Sequence, residues 1–183
     1  MLRDLSGALD PRAIVTAPDD IAPWLEDWRG RYRGAASLML APGSTEDVAA
    51  IVRTAVRHRV PLVPQGGNTS MVGGATPPAD GSAVILSLRG MNRIRHLDAQ
   101  AGLCVAEAGV ILDHLHDAAS AVGKRFPLTL GARGSATIGG LVSTNAGGTQ
   151  VLRFGTMRGL VAGLEAVLPD GSVHDGLAAL QKD

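Results

Sequence analysis

Two glycine-rich stretches carry most of the residues that could do chemistry. The first reads Gln-Gly-Gly-Asn-Thr-Ser at residues 65–70 and follows a predicted strand. The second, residues 131–148, mixes six glycines with small hydroxyl residues. Glycine lets the backbone approach a ligand closely, and backbone N–H groups and hydroxyls can satisfy the oxygens of a buried diphosphate without a charged side chain. The two stretches therefore predict a diphosphate-binding site.

The predicted ligand contacts are uncharged residues of these stretches, together with the proline before the first. They are Pro64, Gln65, Gly66, Gly67, Asn68, Thr69, Ser70, Gly134, Ser135, Thr137, Ile138, Gly139, Gly140, Ser143, Asn145, Ala146, Gly147 and Gly148. Taken singly, either stretch is explained as well by tight turns that bind nothing. The presence of both in one short chain favours binding.

Neither stretch matches a common nucleotide-binding motif. No Gly-Lys-Ser/Thr follows, as a Walker loop requires, and neither stretch has the three-glycine spacing of a Rossmann turn. Lys plus Arg and Asp plus Glu both number 17, so no net positive charge attracts nucleic acid. A nucleoside triphosphate, NAD on a Rossmann turn and nucleic acid are all disfavoured as ligands.

The histidines predict no metal site, and the arginines beside the second stretch have no assigned role. His114 and His116 stand two apart on a predicted helix and so point to different faces. Arg133, Arg153 and Arg158 flank the second stretch, where they either offset ligand charge or are solvated. Both interpretations of the arginines stay open.

A predicted β-α-β unit positions the first stretch. An apolar run at 37–40 precedes a helix that Ser44 or Thr45 caps, and a strand at 60–64 leads into the glycines. The apolar face of this helix is formed by Val48, Ile51, Val52, Ala55 and Val56.

Further strands and a second helix position the second stretch. The helix ends at Gly123, and its apolar face is formed by Ile111, Leu112, Leu115, Ala118, Ala119 and Val122. The predicted strands are a buried strand at 83–88, a hairpin of 94–98 and 103–106, and a strand at 163–168 that turns through 169–171 into a partner beginning at 172–174.

The remaining sequence predicts a lead-in arm and a reducing compartment. Residues 1–34 are polar and broken by prolines, with Trp24 and Trp28 at helical spacing, so we expect one short helix that packs on the outside. The single cysteine, Cys104, permits no intrachain disulfide. No targeting pattern and no apolar run near the ~20 residues of a membrane span are seen. We therefore expect a soluble cytoplasmic protein with no transmembrane segment.

Four sequence blocks together resemble one family. The blocks are residues 64–70, 134–140, 145–148 and 153–158, which read Pro-Gln-Gly-Gly-Asn-Thr-Ser, Gly-Ser-Ala-Thr-Ile-Gly-Gly, Asn-Ala-Gly-Gly and Arg-Phe-Gly-Thr-Met-Arg. They resemble the FAD-binding (PCMH-type) domain of the vanillyl-alcohol oxidase superfamily. The likeness is greatest to the branch of the glycolate oxidase catalytic subunit, D-lactate dehydrogenase and D-2-hydroxyglutarate dehydrogenase.

The resemblance implies an α+β domain of two α/β subdomains with FAD between them. The first subdomain would be residues 35–92 and the second residues 93–183, incomplete at its C-terminus, after an arm at 1–34. Residues 65–70 would hold the pyrophosphate, and residues 134–148 would run along the pyrophosphate and the flavin ring.

Two departures from the family shape the expected chemistry. Some members attach flavin covalently to a histidine of the first loop, where this chain has Asn68, so we expect non-covalent FAD. Members also continue into a substrate domain with a histidine and acidic residues that bind a divalent metal. That part is absent from this sequence, so no catalytic residue or metal ligand is assigned, and we expect the chain alone to be inactive.

The function implied by the resemblance is oxidation of a D-2-hydroxy acid to its 2-oxo acid. Hydride would pass from C2 of lactate, glycolate or 2-hydroxyglutarate to FAD, and electrons onward to an unidentified acceptor. Two alternatives stay open: a non-catalytic flavin-binding subunit that completes its site with a partner chain, and a truncated fragment that folds without cofactor. An NADPH-dependent enzyme of the enolpyruvyl-reductase type fits the block at 145–148 less well.

Overall fold

The computed structural model describes residues 1–177, in which short strands and helices are mixed along the chain. The strands are β1 (Ile14–Val15), β2 (Met39–Leu40), β3 (Leu62–Gln65), β4 (Val84–Ser87), β5 (Ile94–Asp98), β6 (Leu103–Ala106), β7 (Glu165–Val167) and β8 (Val173–Asp175). The α-helices are α1 (Leu2–Leu5), α2 (Pro18–Ile21), α3 (Thr45–His58), α4 (Leu112–Ala121), α5 (Ile138–Ser143), α6 (Val151–Phe154) and α7 (Met157–Leu160). Short 3-10 turns lie at Pro11–Ala13, Ala22–Trp24 and Leu88–Gly90. The α+β fold class is confirmed. None of the helices in residues 1–177 is both long and apolar enough to cross a membrane.

The main sheet has the strand order β1-β2-β4-β3. β1 runs antiparallel to β2, whereas β2, β4 and β3 are parallel. β4 is an inner strand and is buried along its whole length. The predicted β-α-β unit is therefore present, with α3 as its crossover and β4 inserted between its two strands. The β3 pairing ends at Gln65 opposite Ser87, so the first glycine stretch begins where the parallel strands end.

Helix α3 forms where the sequence predicts it. The Ser44 side chain caps it by accepting the backbone N–H of Asp47 at 3.1 Å. Val48 and Ile51 on its predicted apolar face are buried. Val56 is 58% exposed, so that part of the prediction is wrong. The reason is that residue 56 lies about 100° around the helix from residue 55 and leaves the buried face.

The expectation that the arm packs on the outside is wrong. β1 from the arm pairs with β2 in the main sheet. The side chains of Leu5 and Ile21 are 0% and 1% exposed, so the arm contributes to the core. It also holds α1, α2 and two 3-10 turns rather than one short helix. Apolar residues that are buried singly between prolines and turns produce no helical or strand period, which hides this role in the sequence.

The elements predicted around the second stretch are present. β5 and β6 form the hairpin, which turns through Gly102 at a φ of 67°. α4 buries Leu112, Leu115 and Ala119 of its predicted face and ends just before the predicted glycine, whereas Val122 is 40% exposed. β7 and β8 pair antiparallel around their predicted turn.

Two main hydrophobic clusters underlie the two glycine stretches. The first cluster combines the arm, β2, α3 and β4. The second combines α4, α5 and the loops around them, including Ala136 and Ile138 of the second stretch. The division of the chain into folding units near residue 92 stays a prediction.

Candidate functional site

The two glycine stretches lie against each other. A Cβ atom on Gly67 would overlap the backbone carbonyl of Ser135, and a Cβ on Gly66 would overlap the side chain of Thr137. A side chain at either glycine would force the facing chain to move. The structure therefore brings together residues 66–70 and 135–137, which we call the glycine cradle.

Strand β3 delivers the first stretch to this contact. Its last residue, Gln65, is 1% exposed, and its Nε2 donates to the carbonyls of Trp24 at 3.1 Å and Ala75 at 2.8 Å. The buried Oε1 atom has no partner among the described residues. Gln65 thus ties the base of the stretch to the arm and to the chain beyond it.

Part of the second stretch is helical, which the sequence pattern did not lead us to expect. The N–H of Gly139 in α5 donates to the carbonyl of Ala108 at 2.8 Å, and a Cβ on this glycine would lie 2.7 Å from the Ala108 Cβ. The glycine that weakens the helix therefore allows it to pack closely on the preceding loop. The signal present in the sequence was the three-residue spacing of Ile138 and Leu141, which are both buried.

Beyond the cradle, the polar side chains serve the stretch itself. The Ser143 hydroxyl donates to the carbonyl of Gly139 at 2.8 Å. Asn145 has a φ of 48°, and its Oδ1 accepts the backbone N–H of Arg158 at 2.9 Å. These bonds hold the end of α5 and the chain after it, and they engage the Ser143 hydroxyl and the Asn145 Oδ1 atom within the protein.

The predicted contact residues differ in accessibility. Three of them are buried: Gln65, Thr137 and Ile138. The exposed or partly exposed ones are Pro64, Gly66, Gly67, Asn68, Thr69, Ser70, Gly134, Ser135, Gly139, Gly140, Ser143, Asn145, Ala146, Gly147 and Gly148. Most of the set can therefore be reached by a ligand, and their individual contacts stay a prediction.

The groups at the cradle fit a diphosphate. Thr137 is 2% exposed, and its Oγ1 has no hydrogen-bond partner in the part of the chain that the structure describes. The backbone N–H groups of residues 67–70, which are partly exposed residues, also donate to no acceptor within residues 1–177 and can be reached by a ligand. Buried polar groups without partners are rare in native proteins and call for an explanation. Phosphate oxygens of a bound cofactor would accept from these neutral donors.

Two of the three arginines that flank the second stretch contact residues outside the cradle. Arg133 pairs with Asp113 at 3.2 Å, and the Arg153 guanidinium lies 5.2 Å from the centre of the Phe154 ring. Across residues 1–177, no group of three or more His, Cys, Asp and Glu side chains is arranged to hold a metal ion. Because none of the residues at 66–70 and 135–137 has a charged side chain, the donors that the cradle itself offers are neutral.

A charged cluster connects the start of α3 with the β5–β6 hairpin and with β7. The Arg95 guanidinium donates to both carboxylate oxygens of Glu165 at 3.0 Å and to Thr45 Oγ1 at 3.3 Å. The Glu107 carboxylate, 1% exposed, accepts the backbone N–H of Arg93 at 2.8 Å and its guanidinium at 2.9 Å. We call these five residues the charged junction. No motif spacing links them in the sequence, because they come from separate elements.

The junction also shifts the acidity of its carboxyl groups. Hydrogen bonds from Arg95 and Thr45 lower the pKa of Glu165. Burial acts to raise the pKa of Glu107, but the bonds and charge of Arg93 lower it overall. Both groups are therefore held as carboxylates that pair with the arginines.

The chain is similar to curated relatives in sequence and to a solved structure in fold. A mitochondrial D-2-hydroxyglutarate dehydrogenase of Bos taurus is 43% identical over 173 residues, 94% of this chain and 31% of the relative. A Schizosaccharomyces pombe protein, provisionally named a mitochondrial D-lactate dehydrogenase, is 41% identical over 168 residues, 92% of this chain and 32% of the relative. The solved structure of alkyldihydroxyacetonephosphate synthase has a TM-score of 0.85 at 21% identity, covering 95% of this chain and 33% of that chain, which supports the fold. The chain spans about a third of the length of the curated relatives.

The family of the chain follows from a match along most of its length. The protein-family model described as an FAD binding domain matches residues 36–176, which include both glycine stretches. The predicted PCMH-type fold and the resemblance to the D-2-hydroxy-acid dehydrogenase branch are confirmed. Because the match covers most of the chain and the cradle suits the diphosphate of this cofactor, the chain belongs to the FAD binding domain family and its cofactor is FAD.

Proposed function

We propose that this chain holds FAD for the oxidation of a D-2-hydroxy acid to the 2-oxo acid. The observation that carries the proposal is the glycine cradle, where unpaired neutral donors from two distant stretches meet. The names of the relatives, a D-2-hydroxyglutarate and a D-lactate dehydrogenase, support the substrate class. Because the chain spans about a third of each relative, no substrate contact is assigned to its residues.

The residues of the chain bind and orient the cofactor. When bound, the flavin of FAD supplies the hydride-accepting chemistry. Gly66 and Gly67 let the first stretch lie against residues 135–137. The N–H groups of residues 67–70 would donate to the oxygens of the diphosphate, and the Thr137 hydroxyl would gain a partner. Because these donors are neutral, we expect binding to depend only weakly on salt concentration.

We expect the FAD to be held without a covalent bond. The residue in the first stretch where some family members carry histidine is Asn68, and an amide is not a nucleophile that attacks flavin. Its Nδ2 atom already donates to the carbonyl of Glu26 at 2.7 Å. Acid precipitation should leave the flavin in the supernatant, and flavin in the protein pellet would contradict this expectation.

The choice of substrate and the location in the cell are finer proposals. Lactate, glycolate and 2-hydroxyglutarate differ in the groups attached to C2, and the cradle has no assigned contact with that region. D-2-hydroxyglutarate is the first substrate to test, because a relative at 43% identity bears its name. A cytoplasmic location stays a prediction, whereas the names of both relatives place those proteins in mitochondria.

The test is reduction of the bound flavin by substrate in the absence of oxygen. In place of the matching part of the Bos taurus relative, the FAD-loaded chain should lose its visible flavin band with D-2-hydroxyglutarate, D-lactate or glycolate and keep it with L-lactate, whereas the chain alone, which we expect to be inactive, should keep the band with all four acids. Bleaching by NADPH alone would favour the enolpyruvyl-reductase type of enzyme. Retained FAD that no hydroxy acid reduces, together with a co-purifying polypeptide, would favour a non-catalytic subunit. Failure to retain FAD would favour a fragment that folds without cofactor.

A further inference from the structure

The arm contacts the first glycine stretch directly. The Asn68 Nδ2 atom donates to the backbone carbonyl of Glu26 at 2.7 Å. Further along, a Cβ on Gly73 would lie 2.7 Å from the Tyr32 ring, so this part of the loop also packs against the arm. The first stretch is thus held by the arm as well as by residues 135–137.

The backbone of Asn68 has a conformation that needs support. Its φ is 52°, and within residues 1–177 only Arg59 and Asn145 share a positive φ among residues other than glycine. L-residues avoid this left-handed region, and asparagine tolerates it better than most. The bond to Glu26 therefore stabilises a turn of the chain directly after Gly67.

A buried carboxylate organises the turn that presents this carbonyl. Asp27 is 3% exposed, and its carboxylate accepts the backbone N–H groups of Arg29 at 3.3 Å and of Arg31 and Tyr32 at 2.7 Å each. The bond from Tyr32 acts most strongly in lowering the pKa of Asp27. The Asp27 N–H donates in turn to the Tyr32 carbonyl at 3.0 Å. Three donors on one carboxylate hold the turn in a single conformation, with the Glu26 carbonyl at its start.

We propose that residues 26–32 are a positioning element of the FAD site. Asp27 fixes the turn, the turn presents the Glu26 carbonyl, and this carbonyl holds Asn68 in the conformation that sets the glycine cradle. The proposal rests on the proposed binding of FAD by the cradle. The role of Asp27 is indirect, because it acts through backbone groups of the arm and needs no contact with the cofactor.

Three variants of the chain test the proposal. Asn68→Gly keeps access to a positive φ but removes the amide donor. Asp27→Asn keeps the shape of the side chain and replaces one accepting oxygen by an N–H₂ group that faces N–H donors. Asp19→Asn is the matched control, because it makes the same change at an exposed aspartate of the arm outside residues 26–32. Two quantities are measured: the backbone order parameters of residues 65–70 from ¹⁵N relaxation without FAD, and the FAD dissociation constant from flavin fluorescence.

We expect both quantities to change together in Asn68→Gly and Asp27→Asn. The order parameters of residues 65–70 should fall from about 0.85 to below about 0.6, and the FAD dissociation constant should be about fivefold to tenfold higher, because one hydrogen bond that orders the stretch is lost. Asp19→Asn should match the parent in both.

Two results would overturn the positioning role. Unchanged order parameters in Asn68→Gly would show that the arm does not order the stretch. Lower order parameters with an unchanged FAD dissociation constant would show that this order does not serve the cofactor. A parent chain that binds no FAD would refute the proposed function, and the order parameters would still show separately whether the arm orders the stretch.

Discussion

The glycine cradle and the charged junction both connect residues before position 92 with residues after it, but with opposite chemistry. In the junction, Thr45 from the earlier part contacts Arg95 from the later part, and Arg95 and Glu165 satisfy each other through two bonds of 3.0 Å. In the cradle, Gly67 lets two backbones touch, and the Thr137 hydroxyl beside them has no partner among the described residues. A region whose polar groups satisfy each other can hold the fold by itself. The cradle leaves donors for a ligand, so we interpret the junction as a stabilising contact and the cradle as a binding contact.

Forcing the two glycine stretches apart should have the largest effect. Gly67→Ala drives a methyl group into the Ser135 carbonyl, and a backbone atom cannot move away without shifting the second stretch. We expect a loss of about 3 kcal/mol in the free energy of unfolding and a loss of FAD binding. Urea unfolding and FAD retention measure both. Gly74→Ala is the control in the same loop, because no atom lies within 4 Å of its added Cβ and its φ is not positive. A Gly67→Ala protein with the stability and FAD retention of this control would show that the contact between Gly67 and Ser135 is not needed for either.

Breaking the charged junction should cost stability and spare the cofactor. Glu107→Gln leaves Arg93 and Arg95 without a buried carboxylate partner. We expect a loss of about 2 kcal/mol in unfolding free energy, less than for a fully buried pair because the Arg93 side chain is 71% exposed. The FAD dissociation constant should stay within about twofold of the parent value, since the Glu107 carboxylate pairs with Arg93 and Arg95 and the second stretch meets only the backbone and Cβ of the next residue, Ala108. Glu46→Gln, which alters an exposed carboxylate at the start of α3, is the control. A large loss of FAD affinity in Glu107→Gln would show that the two regions are not independent.

Removing the unpaired hydroxyl should change the stability and FAD affinity in opposite directions. Thr137→Val deletes a buried group without a partner, so the chain without FAD should be unchanged or up to about 1 kcal/mol more stable. FAD should bind about fivefold to tenfold more weakly. In the control, Thr144→Val, the deleted hydroxyl donates to the Gly140 carbonyl at 2.9 Å, so no gain in stability is expected. Equal FAD affinity in the parent and Thr137→Val would remove this hydroxyl from the site.

Acid should give the smallest effect, and it should act on the junction. The folded-state pKa of Glu107 and that of Glu165 lie below the ordinary value of 4.5. Their stabilisation is therefore complete above pH 4.5 and is lost as the pH falls through the folded-state values. From about pH 6 to about pH 4 we expect a loss of less than about 1 kcal/mol from Glu165. The Tm difference between the parent and Glu165→Gln should narrow over this range, and a difference that widens towards acid would contradict the assignment.

The sequence predicted the elements that have a clear period and the composition of the site. Helix α3 shows its apolar face through Val48 and Ile51, and its cap through Ser44. Two glycine stretches in one chain pointed to a shared ligand, although nothing in the spacing indicated that Gly67 meets Ser135. Contacts between distant backbones leave no pattern in a sequence, so the pairing needed the structure.

The elements that the sequence did not predict are stabilised by tertiary contacts. Strand β1 has two residues, too few to show alternation, and it forms by pairing with β2. α5 contains Gly139 and Gly140, which disfavour a helix in isolation, and it forms by packing on the loop at residue 108. The bond between Asn68 and the Glu26 carbonyl is also long-range and backbone-directed. In each case local propensity was a poor guide because the stabilising contact is far away in the sequence.

Comparison of flavins tests whether the neutral cradle recognises the diphosphate of FAD. The purified chain is titrated with FAD, FMN and riboflavin at low and high salt, with flavin fluorescence as the signal. FAD should bind about 100-fold or more tightly than riboflavin, with FMN between them, and salt should change the FAD dissociation constant little. Equal binding of FAD and riboflavin, or no binding of FAD at all, would contradict recognition of the diphosphate by the cradle.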